Sequence, residues 1–291
     1  MNRYSERWIA SELGFPVEVL RDLSSRTARY YRPFAIPHGN KVRQIDCPVG
    51  VLKFIQARIK KRVLAGFPFP EPLHGCVTGR SPFTNAREHC DQSCVANLDL
   101  RQFYPSVTCR MVYDVWVDAF GFGHPIASLM TKLTTHGGHL PQGTATSGYL
   151  ANLVLVPVVD RIKELAVSMG CRVTFYVDDI TVSGARARDV LGPLIVIVHG
   201  LGLSVGHGKT RVMDRGEPQI VTGYTVNNRN RPSVPLAKRE KVRELIHEVR
   251  VRRSLGEDVS RFQNSMRGRI AHIGLANPGS AQRLQRLLVR D

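Results

Sequence analysis

Apolar residues recur at helical spacing through the first thirty positions (Trp8, Ile9 and Leu13, then Val19, Leu20 and Leu23), and Pro16 divides them into two short helices. Residues 32–47 instead alternate apolar and polar side chains around Pro37-His38-Gly39-Asn40, the pattern of a β-hairpin with Lys41 and Arg43 on its return limb. Val51, Leu52, Ile55, Ile59, Val63 and Leu64 restore the 3.6-residue period and predict a helix over 51–64, with Lys53, Arg58, Lys60, Lys61 and Arg62 on its outer face. Residues 68–82 are rich in Pro and Gly and read as a loop, in which Gly75 and Gly79 permit close backbone approach or positive φ.

Downstream, 93–100 reads as a strand, 111–135 as largely helical, 149–167 as a buried helix punctuated by Pro157, and 172–183 as a pair of strands. A further helix is expected over 189–201 and a short strand pair over 219–227, followed by a polar, proline-containing linker at 228–235. Beyond it, Leu236, Val242, Leu245, Ile246 and Val249 form an apolar helical stripe, leaving Lys238, Arg239, Arg243, Arg250 and Arg253 to face phosphates. No fixed-period repeat is present, which excludes solenoids.

Charge adds a partner to this outline. The chain carries 41 Lys and Arg against 24 Asp and Glu, a formal charge of +17, the footprint expected of a nucleic-acid binder. Residues 229–291 hold 15 basic and 6 acidic residues, so this last fifth supplies about +9 of it. The apolar runs are too short to span a bilayer and no basic amphipathic anchor is evident, so no membrane partner is expected. The six cysteines are scattered behind no signal peptide, which predicts free thiols and a cytoplasmic setting. His89, Cys90 and Cys94 lack a fourth ligand at zinc spacing.

The chemistry concentrates at Tyr176-Val177-Asp178-Asp179, two adjacent carboxylates at a predicted hairpin turn, with Asp99 at the end of an earlier strand. Antiparallel pairing of those strands would bring the three carboxylates to the same metals, two Mg²⁺ ions of a phosphoryl-transfer site, with the Leu100 carbonyl as an added ligand. Alone, Asp178-Asp179 is more often an ordinary acidic turn. Five residues after Asp99, Tyr104 can pack against the sugar of an incoming nucleotide and obstruct a 2'-hydroxyl, although alone it reads as a core aromatic. Leu140-Pro141-Gln142-Gly143 precedes a helix, where backbone N–H groups and Gln142 can position a nucleotide; a plain cap at Thr144 or Ser147 is the simpler reading of that segment.

In this order, the block containing Asp99 and Phe103-Tyr104-Pro105-Ser106, the Leu-Pro-Gln-Gly block, Tyr-Val-Asp-Asp and Lys209-Thr210 resemble the reverse transcriptase family, most closely the bacterial retron type. Asn85-Ala86-Arg87-Glu88-His89 and Val221-Thr222-Gly223 match two signatures of the retron enzymes. The resemblance implies an α+β right-hand polymerase with fingers, a palm built on an antiparallel sheet, and a helical thumb. It implies Asp99, Asp178 and Asp179 as catalytic carboxylates, Tyr104 as sugar gate, and Gln142 and Gly143 as the nucleotide-pocket loop. Lys41 and Arg43 become triphosphate contacts, Lys209 a charge-neutralising group, and Asn85 and His89 RNA contacts beside the thumb arginines.

The boundaries it implies are a helical lead-in over 1–31, fingers over 32–94, palm over 95–110 and 140–228, a helical insertion over 111–139 and a basic thumb over 229–291. The expected partners are deoxynucleoside triphosphates, a cognate structured non-coding RNA serving as template and primer, its cDNA product, and a defence effector protein. The sequence departs from the family at His38 and Gly39, where a lysine pair is usual, at Thr144-Ala145 and Gly148, at Val177, and at Gly206 in place of an asparagine. Another bacterial reverse transcriptase class and a non-catalytic RNA scaffold are the alternatives.

Overall fold

The computed structural model describes residues 4–38, 41–206, 208, 210–229 and 231–289. It opens with α1 (Glu6–Leu13), capped by the Ser5 hydroxyl and ended by Gly14 in the left-handed region, and α2 (Val17–Ser25) beyond Pro16. Strands β1 (Tyr31–His38) and β2 (Lys41–Pro48) pair antiparallel in the predicted hairpin, whose Gly39-Asn40 turn lies outside the described residues. Helix α3 (Gly50–Ile59) buries Leu52, Ile55 and Ile59, then widens into one π-type turn over Lys60–Leu64, closed by the Ala65 N–H on the Lys60 carbonyl at 2.9 Å. Such turns rotate the side chains that follow and are frequent at functional sites.

After the Pro/Gly loop come α4 (Pro82–Arg87), started by a reciprocal Ser81–Thr84 cap, β3 (Cys94–Asp99) and the single turn α5 (Phe103–Ser106). The helical stretch expected over 111–135 is two helices, α6 (Cys109–Asp118) and α7 (His124–Thr134), parted where Gly121 takes a φ of +66°. Helix α8 (Ser147–Ser168) runs through Pro157 unbroken and is buried along most of its length. Next are β4 (Arg172–Tyr176), β5 (Asp179–Ser183), α9 (Ala187–Gly200) and β6 (Arg211–Asp214). Two-residue strands β7 (Ile220–Val221) and β8 (Tyr224–Thr225) lead to α10 (Leu236–Ser254), α11 (Ser260–Ala276) and α12 (Pro278–Val289).

The central sheet has the order β4-β5-β3-β6 with antiparallel neighbours. β6 is an addition to the sequence expectation: four residues that pair only with β3 carry too short an alternation to stand out. One core joins the N-terminal helices, α3 and α6–α9 to Ala96, Leu98, Phe175 and Ile180 of the sheet. A second core packs Val95 and Met213 of the sheet and Tyr224 against Val242, Ile246, Ile270 and Leu284 of the C-terminal helices. The architecture is α+β, as the family resemblance implies. Among the described residues no helix is long and apolar enough to cross a membrane.

Candidate active site

The strand register assembles the carboxylates. β3 runs against β5 with Asp99 opposite Asp179, and the Leu100 N–H donates to the Asp178 carbonyl at 2.8 Å. That bond, one residue beyond the pair, marks Asp99 and Asp179 as a non-hydrogen-bonded pair, whose Cα atoms stand about 4.5 Å apart with side chains on one face. In an extended residue N–H and C=O point the same way, so the Leu100 carbonyl is also turned toward the Asp178 side. Asp99 is held from its other edge by the Gly206 N–H, 2.8 Å from its carbonyl. Gly206 thus fixes the backbone of the residue that bears the first carboxylate; its place in the sequence marks it only as a missing asparagine.

The turn between β4 and β5 is two residues long, because Tyr176 pairs with Asp179. Val177 takes a φ of +60°, as tight hairpins require at their first position and as β-branched residues resist. A neighbouring backbone holds it there. The N–H groups of His74 and Gly75 both reach the Phe175 carbonyl, at 2.7 and 3.3 Å, and Phe175 N–H returns to Pro72. A Cβ on Gly75 would lie 2.4 Å from the Val177 nitrogen, so only glycine lets this loop lie against the carboxylate-bearing turn. Asn152 of α8 donates to the Gly75 carbonyl at 2.6 Å, and the Arg80 guanidinium gathers the carbonyls of Phe69, Pro70, Glu71 and Leu73. The close backbone approach that Gly75 permits is taken up by the protein's own hairpin.

Tyr104, close enough to Asp178 to feel its charge, lines a cavity of about 560 Å³ together with Gln142, Gly143, Ile45 and Lys60 among others. Gly143 has a φ of +109°, and a Cβ there would strike Ile45 Cγ2 at 2.6 Å. The Asp46 N–H donates to the Gln142 carbonyl at 2.8 Å, so the β1–β2 hairpin is docked on this loop. Thr144 accepts from the Ser147 N–H, so the capping role is realised as well. Burial, then Cys76, Asp178 and Tyr176, hold the Tyr104 hydroxyl far above the ordinary phenol range, and it stays protonated. Lys60 stays exposed, as its spacing predicts, and it also lines the cavity, with its ammonium 5.4 Å from the Tyr149 ring centre.

Arg43 is exposed and shares a hairpin face with Ile45 two residues on, hence with the cavity. The Lys41 side chain and all of Lys209 lie outside the described residues.

Asn85 and His89 are corrected. Both are fully buried, which removes them from any RNA-facing surface. His89 bridges two strands, with Nδ1 2.7 Å from the Ser183 hydroxyl and Nε2 2.7 Å from that of Thr174. Burial first, then His74 and Arg172, pushes its pKa down to about 3, so the imidazole is a neutral clip across β4 and β5. The second signature is structural as well: the Thr222 hydroxyl donates to the Pro82 carbonyl at 2.6 Å, joining the β7–β8 turn to the start of α4. Among the C-terminal arginines Arg243 is exposed, while Arg239 and Arg250 are half-buried. Arg253 is half-buried and donates to the Leu288 carbonyl at 3.1 Å.

Among the described residues no three His, Cys, Asp or Glu side chains close around a point as a complete metal cage would. Hard divalent cations in phosphoryl-transfer sites need only one or two carboxylates, the remaining positions going to water and substrate phosphate. The paired, oxygen-only set of Asp99 and Asp179, with Asp178 adjacent, fits such an ion.

Comparison with known proteins agrees with this geometry. The family described as reverse transcriptase (RNA-dependent DNA polymerase) matches residues 36–231. The retron Mx65 reverse transcriptase of Myxococcus xanthus is 33% identical over 97% of this chain and 70% of its own length. The retron Se72 enzyme of Salmonella heidelberg is 28% identical over 82% of this chain and 66% of its own, and the retron Ec86 enzyme of Escherichia coli 28% over 80% and 74%. In fold alone, the telomerase of Candida albicans, solved with a fragment of telomeric RNA, superposes with a TM-score of 0.50 at 9% identity, over 92% of this chain and 59% of that one. With its carboxylate pair, nucleotide-sized cavity and these relatives, the chain belongs to the reverse transcriptase family, and within it to the retron type.

Proposed function

We propose that this chain copies a cognate structured RNA into a short DNA that stays joined to the RNA, with Asp99, Asp178 and Asp179 as the catalytic carboxylates. The observation that carries the reading is the pairing of Asp99 with Asp179 on one sheet face beside the cavity of Tyr104 and Gln142. Two Mg²⁺ ions, held by the three carboxylates and the Leu100 carbonyl, would supply activation of the attacking hydroxyl and neutralisation of the leaving pyrophosphate.

The protein's own groups do the rest. Lys60 and Arg43 place positive charge where a triphosphate enters, and Lys41 and Lys209 belong to the same task by family resemblance. The Gln142–Gly143 loop, fixed to β2, forms the wall against which the nucleotide is oriented. The protonated Tyr104 ring occupies the space a 2'-hydroxyl would need, which favours deoxynucleotides. Arg239, Arg243 and Arg250 hold the RNA through its phosphates, with binding that weakens steeply with salt. A cytoplasmic setting and a defence role with an effector protein complete the reading by family resemblance.

The test is to express the chain with its native flanking DNA and digest the co-purifying nucleic acid with RNase and DNase separately. A discrete DNA linked to RNA, absent from the Asp178→Asn/Asp179→Asn variant, is the expected result. RNA alone in both preparations would replace this reading with that of an RNA-binding scaffold.

A further inference from the structure

A second, smaller cavity of about 210 Å³ lies between α10 and α12, and shares no lining residue with the nucleotide cavity. Arg239 and Arg243, one helical turn apart, contribute from α10; Ser280, Arg283 and Leu284 contribute from α12. Arg239 Nε is shielded from water and, among the described residues, has no hydrogen-bond acceptor. A buried donor in that state costs about 1–3 kcal/mol, a cost that a rotamer change bringing Arg239 Nε onto an anion in the cavity would offset. Arg283 is bent back, its Nε 3.3 Å from the Gly279 carbonyl, toward the first turn of the twelve-residue α12. Ser280 stands in that turn, where N–H groups and the helix dipole favour an anion.

Charge selects among anions. Three guanidinium groups and the Glu240 carboxylate, which also lines the cavity, leave a local charge of +2. A phosphomonoester carries about −1.5 to −2 at neutral pH, whereas a backbone phosphodiester carries a single charge. The cavity is small and closed on one side by Leu284 and Leu287, the shape of a pocket for one terminal group rather than of a groove that a strand runs through.

We propose that this pocket binds a phosphomonoester, and that its ligand is the 5'-phosphate end of a nucleic-acid strand. The choice of nucleic acid rests on the reading of the C-terminal helices as the RNA-holding thumb; the choice of a phosphomonoester does not.

The experiment has two arms on the full chain, with Arg283→Gln and the milder Ser280→Ala as variants and circular dichroism to check folding. In the first, thermal stability is followed with inorganic phosphate against chloride at equal ionic strength. Phosphate should raise the midpoint in the wild type and not in Arg283→Gln. In the second, a short RNA is compared with 5'-phosphate and 5'-hydroxyl ends by fluorescence anisotropy. The phosphorylated RNA should bind about tenfold tighter, as one charge-assisted contact set allows. Arg283→Gln should erase that preference while changing affinity for the hydroxyl-ended RNA by less than about twofold.

Stabilisation by phosphate with equal affinity for the two RNA ends would overturn the strand-end assignment and leave a small-phosphate site. Stabilisation without RNA binding of either kind would remove the thumb reading and retain the phosphomonoester pocket. No response to phosphate in the first arm and no end preference in the second would overturn the proposal whole.

Discussion

The sheet region and the C-terminal helices solve placement in opposite ways. Around the carboxylates, position comes from backbone: a strand register, a two-residue turn at positive φ, and Gly75 and Gly143 where any Cβ would collide. In the C-terminal helices, position comes from long cationic side chains on a helical scaffold, each able to adjust by rotamer. Backbone placement is stiff and intolerant, whereas side-chain placement is graded and screened by salt. The contrast predicts all-or-none losses in the first region and incremental ones in the second.

The largest effect is expected from Asp178→Asn with Asp179→Asn, which should lower single-turnover incorporation about 1,000-fold or more while RNA affinity changes less than about twofold. Equal losses of both would make the carboxylates structural. Tyr104→Ala should reduce the preference for deoxynucleotides over ribonucleotides by about 10- to 100-fold, read as a ratio of kcat/KM values. Gly75→Ala should cost about 1–3 kcal/mol in denaturant unfolding and lower kcat, because the new methyl group displaces the Val177 turn. A wild-type kcat in that variant would show that the turn does not depend on the loop.

His89 sharpens the comparison through pH. Its pKa is lowered to about 3 in the fold against an ordinary 6.5, so the unfolded chain takes up the proton first as pH falls. Its contribution is complete above about pH 6.5 and is lost as pH falls toward 3, at up to about 1.4 kcal/mol per pH unit. His89→Gln should flatten that part of the stability profile. The smallest effect belongs to the C-terminal helices: Arg243→Gln should weaken RNA binding modestly and reduce the salt slope by about one. A tenfold loss at low salt with an unchanged slope would place Arg243 in a base-specific contact instead.

Much of this was legible in the sequence because the features that carry it are local. The Pro16 break, the alternation over 32–47, the strand pair at 172–183 and the Tyr-Val-Asp-Asp turn all follow from neighbours in the chain. What escaped depends on distant partners. Lys60 is exposed as its spacing implies, but its place on the cavity wall depends on Tyr149, about ninety residues away. β6 has no pattern of its own and exists because β3 offers an edge. Asn85 and His89 are expected to meet RNA only because the family resemblance implies it, whereas His89 finds its partners on strands about ninety residues away.

The His89 bridge carries one more consequence, an asymmetry of proton ownership. A neutral imidazole has a single N–H, yet both its nitrogens meet hydroxyls at 2.7 Å. One of Ser183 and Thr174 must therefore give its proton to the ring while the other receives the ring's. Deleting the giver strands a lone pair and deleting the receiver strands an N–H, so Ser183→Ala and Thr174→Val differ in kind, and the tautomer of one buried ring sets the direction in which two strands are joined.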